Sequence, residues 1–298
     1  MSDARVVREL RRMLDDAGLR GSFCVRDLHG GEEIGIEPDL EFAVASLVKV
    51  PLAVATLERV RNGELDGAAR VTVRPGATPG TFGLSHFRHR VSVAVDDLLY
   101  LSVAVSDNAA ADALFALTPP AEVAAVLDGL GVRGITVRHT IGELSATVAS
   151  HLGPGDAHYA HFLASEAGTA GRGHRIPQLD VTRANSGTAR AYLNLVQELW
   201  TPSRIDPGVA ARVRELMGAN VLRQRLAPDF ASDAARWSSK TGTLLNLRHE
   251  VGVVEHADGQ VFGVAALTES RVPAAEQPEA EAVMAHVARA LRDHLRQG

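Results

Sequence analysis

Ser46 and Lys49 stand three residues apart in FAVASLVKVPLAVATLERV, residues 42–60. A hydroxyl and an amine at that spacing lie one helical turn apart on one face. Val50, Leu52, Ala53, Val54, Ala55 and Leu57 follow, and their density predicts a helix buried on most of its surface. Burial strips water from an ammonium and favours its neutral form. A neutral Lys49 would accept the Ser46 proton and turn the hydroxyl into a nucleophile. The same four residues also read as a capped helix followed by a snorkelling lysine, and four residues do not separate the two readings.

Two further stretches do. Ser106-Asp107-Asn108 lies between apolar helical runs in LSVAVSDNAAADAL, and Lys240-Thr241-Gly242 lies in ARWSSKTGTL, where a strand is the natural reading. Ser-x-x-Lys, Ser-Asp-Asn and Lys-Thr-Gly, in that order on helix start, inter-helix loop and strand, form the motif set of class A β-lactamases and penicillin-binding proteins. The chain resembles this serine β-lactamase superfamily, nearest to class A, from about residue 5 to its C-terminal helix. The resemblance implies an α/β (α+β) fold of the β-lactamase/transpeptidase type, an antiparallel sheet flanked by helices plus a helical lobe. One domain, 1–298, would then divide into an α/β lobe at about 1–45 and 216–298 and a helical lobe at about 46–215, with the site in the cleft between them.

The activity implied is that of a serine hydrolase, acylated at Ser46 and cleaving β-lactam amide bonds. Lys49 is then the first candidate base. Ser106 would pass a proton to the leaving group while Lys240 holds its pKa down. Asn108 would hold Lys49 and a substrate amide, and the backbone N–H groups of Ser46 and Thr243 would form the oxyanion hole. Thr241, Gly242 and Thr243 would line the substrate strand, the two threonines reaching a substrate carboxylate. Arg248, eight residues past Lys240, is placed for the same carboxylate and reads equally as a solvent-facing arginine on an edge strand.

Hydrolysis of the acyl-enzyme needs a further base. Glu143 follows Ser106 by 37 residues, near the family separation, with Arg138 a few residues before it. Its surroundings, IGELSAT, lack the family's Glu-x-x-Leu-Asn pattern, so Glu143 also reads as a surface glutamate. Glu166 is a weaker rival. Asp180 resembles the acid that closes the family's Ω-loop and reads as structural. Lys240 comes 134 residues after Ser106, roughly thirty more than in typical class A members, and the extra length falls between about 146 and 180. This stretch also holds His158 and His161, which with His151 or Asp156 have metal-ligand spacing if helical; with 12 histidines in the chain such spacings arise by chance, and no metal or other cofactor is expected.

Composition narrows the partners. The chain has 298 residues, 46% of them hydrophobic, and a net charge of −5 without a basic block, which argues against nucleic acid and anionic membrane and leaves a small molecule as the expected partner. Cys24 is the one cysteine, so no intramolecular disulfide forms. The N-terminal MSDARVVRELRRMLDDAG shows no apolar signal region, which predicts a cytoplasmic protein. Two other functions fit the same residues: a cytoplasmic esterase, amidase or acyl-transferase of small-molecule metabolism, and a non-enzymatic regulator that binds a ligand in the same pocket.

The remaining elements follow from pattern. Val6, Val7, Leu10, Met13 and Leu14 predict a helix over 4–18. GSFCVRDL and EEIGIE read as a hairpin, as do HEVGVVEH and QVFGVAAL around Asp258-Gly259. Further helices are expected from Asp96, from Pro120, over 186–200, from Asp206-Pro207 and over 276–296.

Overall fold

Val6, Leu10 and Leu14 recur at helical spacing, and Asp3–Asp16 forms helix α1 with all three buried. It leads into strands β1 (Leu19–Asp27) and β2 (Glu33–Ile36), an antiparallel hairpin in the register Phe23↔Ile36. The computed structural model describes residues 2–144, 159–166, 172–174 and 176–297. Strand β3 (Glu41–Ala43), a 3-10 turn (Ala45–Val48) and helix α2 (Lys49–Arg61) come next. The α-helix therefore starts at Lys49, immediately before the apolar run, and Ser46 lies in the 3-10 turn ahead of it. Ala45 is the cause: its φ of 48° is left-handed, outside the helical region, and the chain enters α2 through a tighter turn. Every residue of α2 from Lys49 to Glu58 is buried.

Strands β4 (Arg70–Val73) and β5 (Val91–Ala94) pair with each other. Helices α3 (Val95–Val103), α4 (Asn108–Leu117) and α5 (Pro120–Gly129) pack around α2. β6 (Ile135–Thr136), α6 (Ala160–Glu166), β7 (Ser186–Thr188), α7 (Ala189–Trp200) and α8 (Pro207–Gly218) follow. Asp206 caps α8, accepting from the N–H groups of Gly208 at 2.8 Å and Val209 at 3.2 Å, with Pro207 at the first helical position as the sequence predicts. The short α9 (Ala227–Phe230) precedes strands β8 (Ala235–Leu244), β9 (Leu247–His256) and β10 (Val261–Ser270), and α10 (Pro278–Gln297) closes the chain.

The main sheet is antiparallel in the order β2-β1-β10-β9-β8, so the ends of the chain meet in one layer. Alternation along β10 sorts its side chains. Phe262, Val264 and Ala266 pack with α1 and α10; Ala265 and Leu267 join the larger core that holds α2, α4 and α7. The short β3-β7-β6 sheet lies beside the start of the 3-10 turn. No single helix among the described residues is long and apolar enough to cross a membrane.

Candidate functional site

Ser46 is half-buried in the 3-10 turn, one residue after the strained Ala45. The strand leading to it is anchored from behind. His249 on β9 is fully buried, with Nε2 2.8 Å from the Ala43 carbonyl and Nδ1 accepting from Thr268 N–H at 3.1 Å. Those partners fix the tautomer, since Nδ1 must be the acceptor and Nε2–H the donor. Burial, with Arg225 and Arg248 adding repulsion, pushes the imidazole down to about 4, so it is neutral at pH 7.

Lys49 is fully buried at the start of α2. Its Nζ donates to the Ser106 carbonyl at 2.7 Å and to Asn108 Oδ1 at 2.7 Å, and lies 3.4 Å from Ser106 Oγ. Burial lowers its pKa to about 7, while Asp107 and Asp112 on α4 oppose the shift. At neutral pH both forms are therefore populated, which suits a proton acceptor.

The loop between α3 and α4 presents Ser106 with a φ of 63°. Asp107 behind it stabilises that turn: its Oδ1 accepts from Ala109 and Ala110 N–H, and its Oδ2 accepts from Leu84 N–H at 2.6 Å. A Cβ on Gly83 would lie 2.2 Å from the same oxygen, and its φ of 66° needs glycine as well. Asn108 donates from Nδ2 to the Pro79 carbonyl at 2.9 Å, which turns its Oδ1 towards Lys49. From β8, the fully buried Lys240 donates from Nζ to Ser106 Oγ and to its neighbour's carbonyl, Thr241 O, both at 2.9 Å. Burial, then the charges of Lys49 and Arg225, hold Lys240 well below an ordinary lysine, with Glu250 opposing. The Ser106 hydroxyl thus sits between two buried amines, an arrangement able to relay a proton.

Strand β8 lies against the Ser46 turn because residue 242 has no side chain. A Cβ there would come within 2.8 Å of the Val44 carbonyl and 3.1 Å of Leu47 Cγ. Thr241 is buried and Thr243 exposed, at the next positions on either side. The main chain of this strand is tied from behind by Arg225, which the sequence reading did not single out. Arg225 is 3% exposed and donates to the carbonyls of Gly242 at 3.1 Å and His249 at 3.0 Å, to Thr243 Oγ1 at 2.7 Å, and to Glu281 at 2.8 Å. Glu250, fully buried, holds the chain next to it by accepting from Leu226 N–H at 2.8 Å, Trp237 Nε1 at 2.9 Å and Ser239 Oγ at 2.7 Å.

The other candidates have different partners. Arg248 lines a cavity of about 430 Å³ together with Arg225, Thr243 and Phe82. Its Nη1 donates to the carbonyls of Leu245 and Leu247 and its Nη2 to that of Ala275, while its Nε lies 3.7 Å from Glu281 Oε1. Glu143 is exposed; its Oε2 accepts from Thr140 N–H at 2.7 Å while Thr140 Oγ1 accepts from Glu143 N–H at 3.3 Å. That reciprocal pair is a capping box on the helical turn at 141–144. Arg138 donates to the Ala184 carbonyl and to Ser186. Asp180 is buried and takes Gly173 N–H, Thr182 N–H and the Thr182 hydroxyl. His151, Asp156, His158 and the side chain of Glu166 lie outside the described residues. Among the described residues no group of three or more His, Cys, Asp or Glu could hold a metal ion.

A family model described as "Beta-lactamase enzyme family" matches residues 5–295. A Streptomyces cacaoi protein named beta-lactamase regulatory protein BlaB is 63% identical over 310 residues, covering 100% of this chain and 99% of that one. Among solved structures, a β-lactamase from Sphaerobacter thermophilus DSM 20745 superposes with a TM-score of 0.78 at 22% identity, over 100% of this chain and 99% of its own. A structure described as PBP-A gives 0.77 at 16% identity, over 99% and 97%. At such identities the structural likeness speaks for the fold alone.

Proposed function

The chain belongs to the beta-lactamase enzyme family, and we propose that it is a serine acylating enzyme whose Ser46 opens a β-lactam amide bond and then releases the product slowly. The observation that carries this is the Ser106 hydroxyl held between the amines of Lys49 and Lys240. Neutral Lys49 takes the Ser46 proton as Oγ attacks the lactam carbonyl. The oxyanion is held by the N–H groups of Ser46 and Thr243. As the C–N bond breaks, the leaving nitrogen takes the Ser106 proton, and the new Lys49 ammonium restores it. An ester on Ser46 and a neutral Lys49 remain, so the protons balance.

Intact mass spectrometry with penicillin G tests the reading. Ser46 is expected to gain the mass of one whole penicillin within seconds to minutes and to keep it for longer than that; no adduct on wild type, or the same adduct on Ser46→Ala, would sink it. The same assay reads Gly242→Ala. The added Cβ has a backbone carbonyl in its way, so β8 must move off the Ser46 turn. Acylation should fall about a hundredfold, the usual result of displacing reacting groups by about 1 Å.

A second reading is favoured by the 63% identity to a protein named as a β-lactamase regulator. A long-lived adduct would then be the signal, and the protein a penicillin-responsive regulator rather than a defence enzyme. Supporting it is the commitment of Glu143 to its capping box. Loss of a regulatory response in Ser46→Ala, with the protein present at normal level, is the outcome that separates signalling by the adduct from signalling by the bare fold.

A further inference from the structure

Helix α1 turns Val6, Leu10 and Leu14 inwards and carries Arg5, Glu9, Arg12 and Asp16 at helical spacing on its solvent side, all four exposed. Their neighbours Arg11 and Asp15 are paired, with Glu37 at 3.2 Å and with Arg271 at 2.9 Å. Among the described residues Arg5, Glu9, Arg12 and Asp16 have no such partner. The two ends of the helix differ in sign. Arg5, Arg8 and Arg12 share one shallow hollow with Glu9 near its start. Asp16 ends it beside Glu276 and Glu279, and no basic residue among the described ones lines the hollow that these three acids share.

The order of the stripe is plus, minus, plus, minus. Arg5 and Asp16 lie equally far from its midpoint, between Leu10 and Arg11, and so do Glu9 and Arg12. A second α1 laid antiparallel across that midpoint sets each Arg5 on an Asp16 and each Glu9 on an Arg12, and a two-fold axis makes every pair twice. A parallel helix in register would set like charge on like.

A seam able to take such a helix lies alongside. Between α1 and α10, a hollow of about 490 Å³ bounded by Val6, Leu10 and Ala290 runs into one of about 990 Å³ bounded by Ala17, Val272 and Val283, and Met13 lines both. Val272 is 47% exposed. Exposed ion pairs contribute little each, so they select the register while cover of the apolar seam supplies the affinity. The seam ends against the loop that bounds the candidate site: Glu276, Gln277 and Pro278 line both the larger hollow and the cavity of Arg248 and Thr243.

We propose that the occupant is a second copy of this chain: two molecules pair through antiparallel α1 helices about a two-fold axis and cover the α1–α10 seam with the loop at its end. The pairing does not depend on the chemistry at Ser46.

Sedimentation velocity on the full chain, from about 1 to about 300 µM, measures it. Wild type is expected to show a monomer–dimer equilibrium. Arg5→Glu alone, or Asp16→Arg alone, weakens the dimer by about tenfold or more, since each brings like charges together at two places. The two changes in one chain restore the pairs with their signs exchanged and return the dimer to within about threefold of wild type. Both changes suit the helix dipole, an acid at the start and a base at the end, so a lost dimer does not come from a frayed α1. A wild type that stays monomeric over the whole range overturns the proposal and leaves the seam to a different protein. A dimer indifferent to either single reversal overturns it as well, because it then forms through another face. A double variant as weak as the singles overturns the antiparallel register.

Discussion

Lys49→Ala is expected to slow acylation of Ser46 by about 10²–10⁴-fold, the range over which a general base contributes, while the fold persists. In wild type the acylation rate should rise with pH through about 7 and then level, since the neutral amine is the active form. The same side chain predicts a stability that also rises with pH, over a higher window. An unfolded lysine holds its proton up to about 10.5, and Lys49 in the fold only up to about 7. Between those values the unfolded state binds more protons, so stability rises with pH across that window. Below pH 7 the full cost of the buried ammonium is present. Lys49→Met removes that charge and fills its volume, and should raise stability at pH 6 by about 1–4 kcal/mol, as replacements of buried charged groups by apolar ones do. Urea unfolding at pH 6 and the growth of the penicillin adduct measure the two effects. An acylation rate unchanged in Lys49→Ala would remove the lysine from the mechanism.

Lys49, Ser106, Asn108 and Lys240 were legible because each sits in a short string whose chemistry is local, and the structure joins all four by direct hydrogen bonds. The residues that hold them there were not. Arg225, His249 and Glu250 act through contacts with main chain that is distant in sequence, such as His249 on Ala43, 206 residues away. No periodicity or motif marks a side chain whose partner is a remote carbonyl. Asp112 shows the same limit: the string NAAAD reads as an ordinary helix, and its partners Thr78 and Ile141 lie 34 and 29 residues off. Arg248 was placed by its offset from Lys240, but an offset says nothing about which carbonyls a buried guanidinium meets first.

The fold was readable where burial imposes a period. The alternation in β10, the Asp258-Gly259 turn and the Asp206-Pro207 helix start all appear as their residue types require. The small strands β3, β6 and β7 carry two or three residues each, too few for alternation to show, and their pairing depends on the chain returning from Ser186 to Ala43. The 3-10 turn that carries Ser46 ahead of α2 was not legible, because nothing in an alanine announces a left-handed φ. Within 146–180 the composition of glycine, histidine and small residues has no period at all, and no pattern there announces α6 or the 3-10 turn at Pro177–Leu179, which lie among the described residues.

The penicillin adduct on Ser46 is expected to decay slowly, with deacylation about 10²–10⁴-fold behind what a positioned general base would give. An ester on Ser46 is hydrolysed only when a water is held against it and relieved of a proton. Spacing from Ser106 nominates Glu143 for that task, but Thr140-x-x-Glu143 is also the pattern of a capping box, and the glutamate makes both of its bonds. A carboxylate whose Oε2 accepts a backbone N–H at 2.7 Å is held on its turn, so it serves a water only where that turn places it. Asp112, which with Asp107 attracts Lys49, is held by three donors of its own. Glu143→Gln should therefore leave the adduct lifetime within about threefold of wild type and, since a glutamine oxygen accepts the same Thr140 N–H, keep the 141–144 turn capped, whereas Glu143→Ala loses the bond at a cost of about 0.5–2 kcal/mol. Adduct decay after removal of free penicillin, followed by intact mass, gives the lifetime, and thermal unfolding gives the stability. Fast decay in wild type that collapses in Glu143→Gln would show that this glutamate leaves its cap to work on the ester; fast decay that survives the change would assign the water to another base, with Glu166 the next residue to replace.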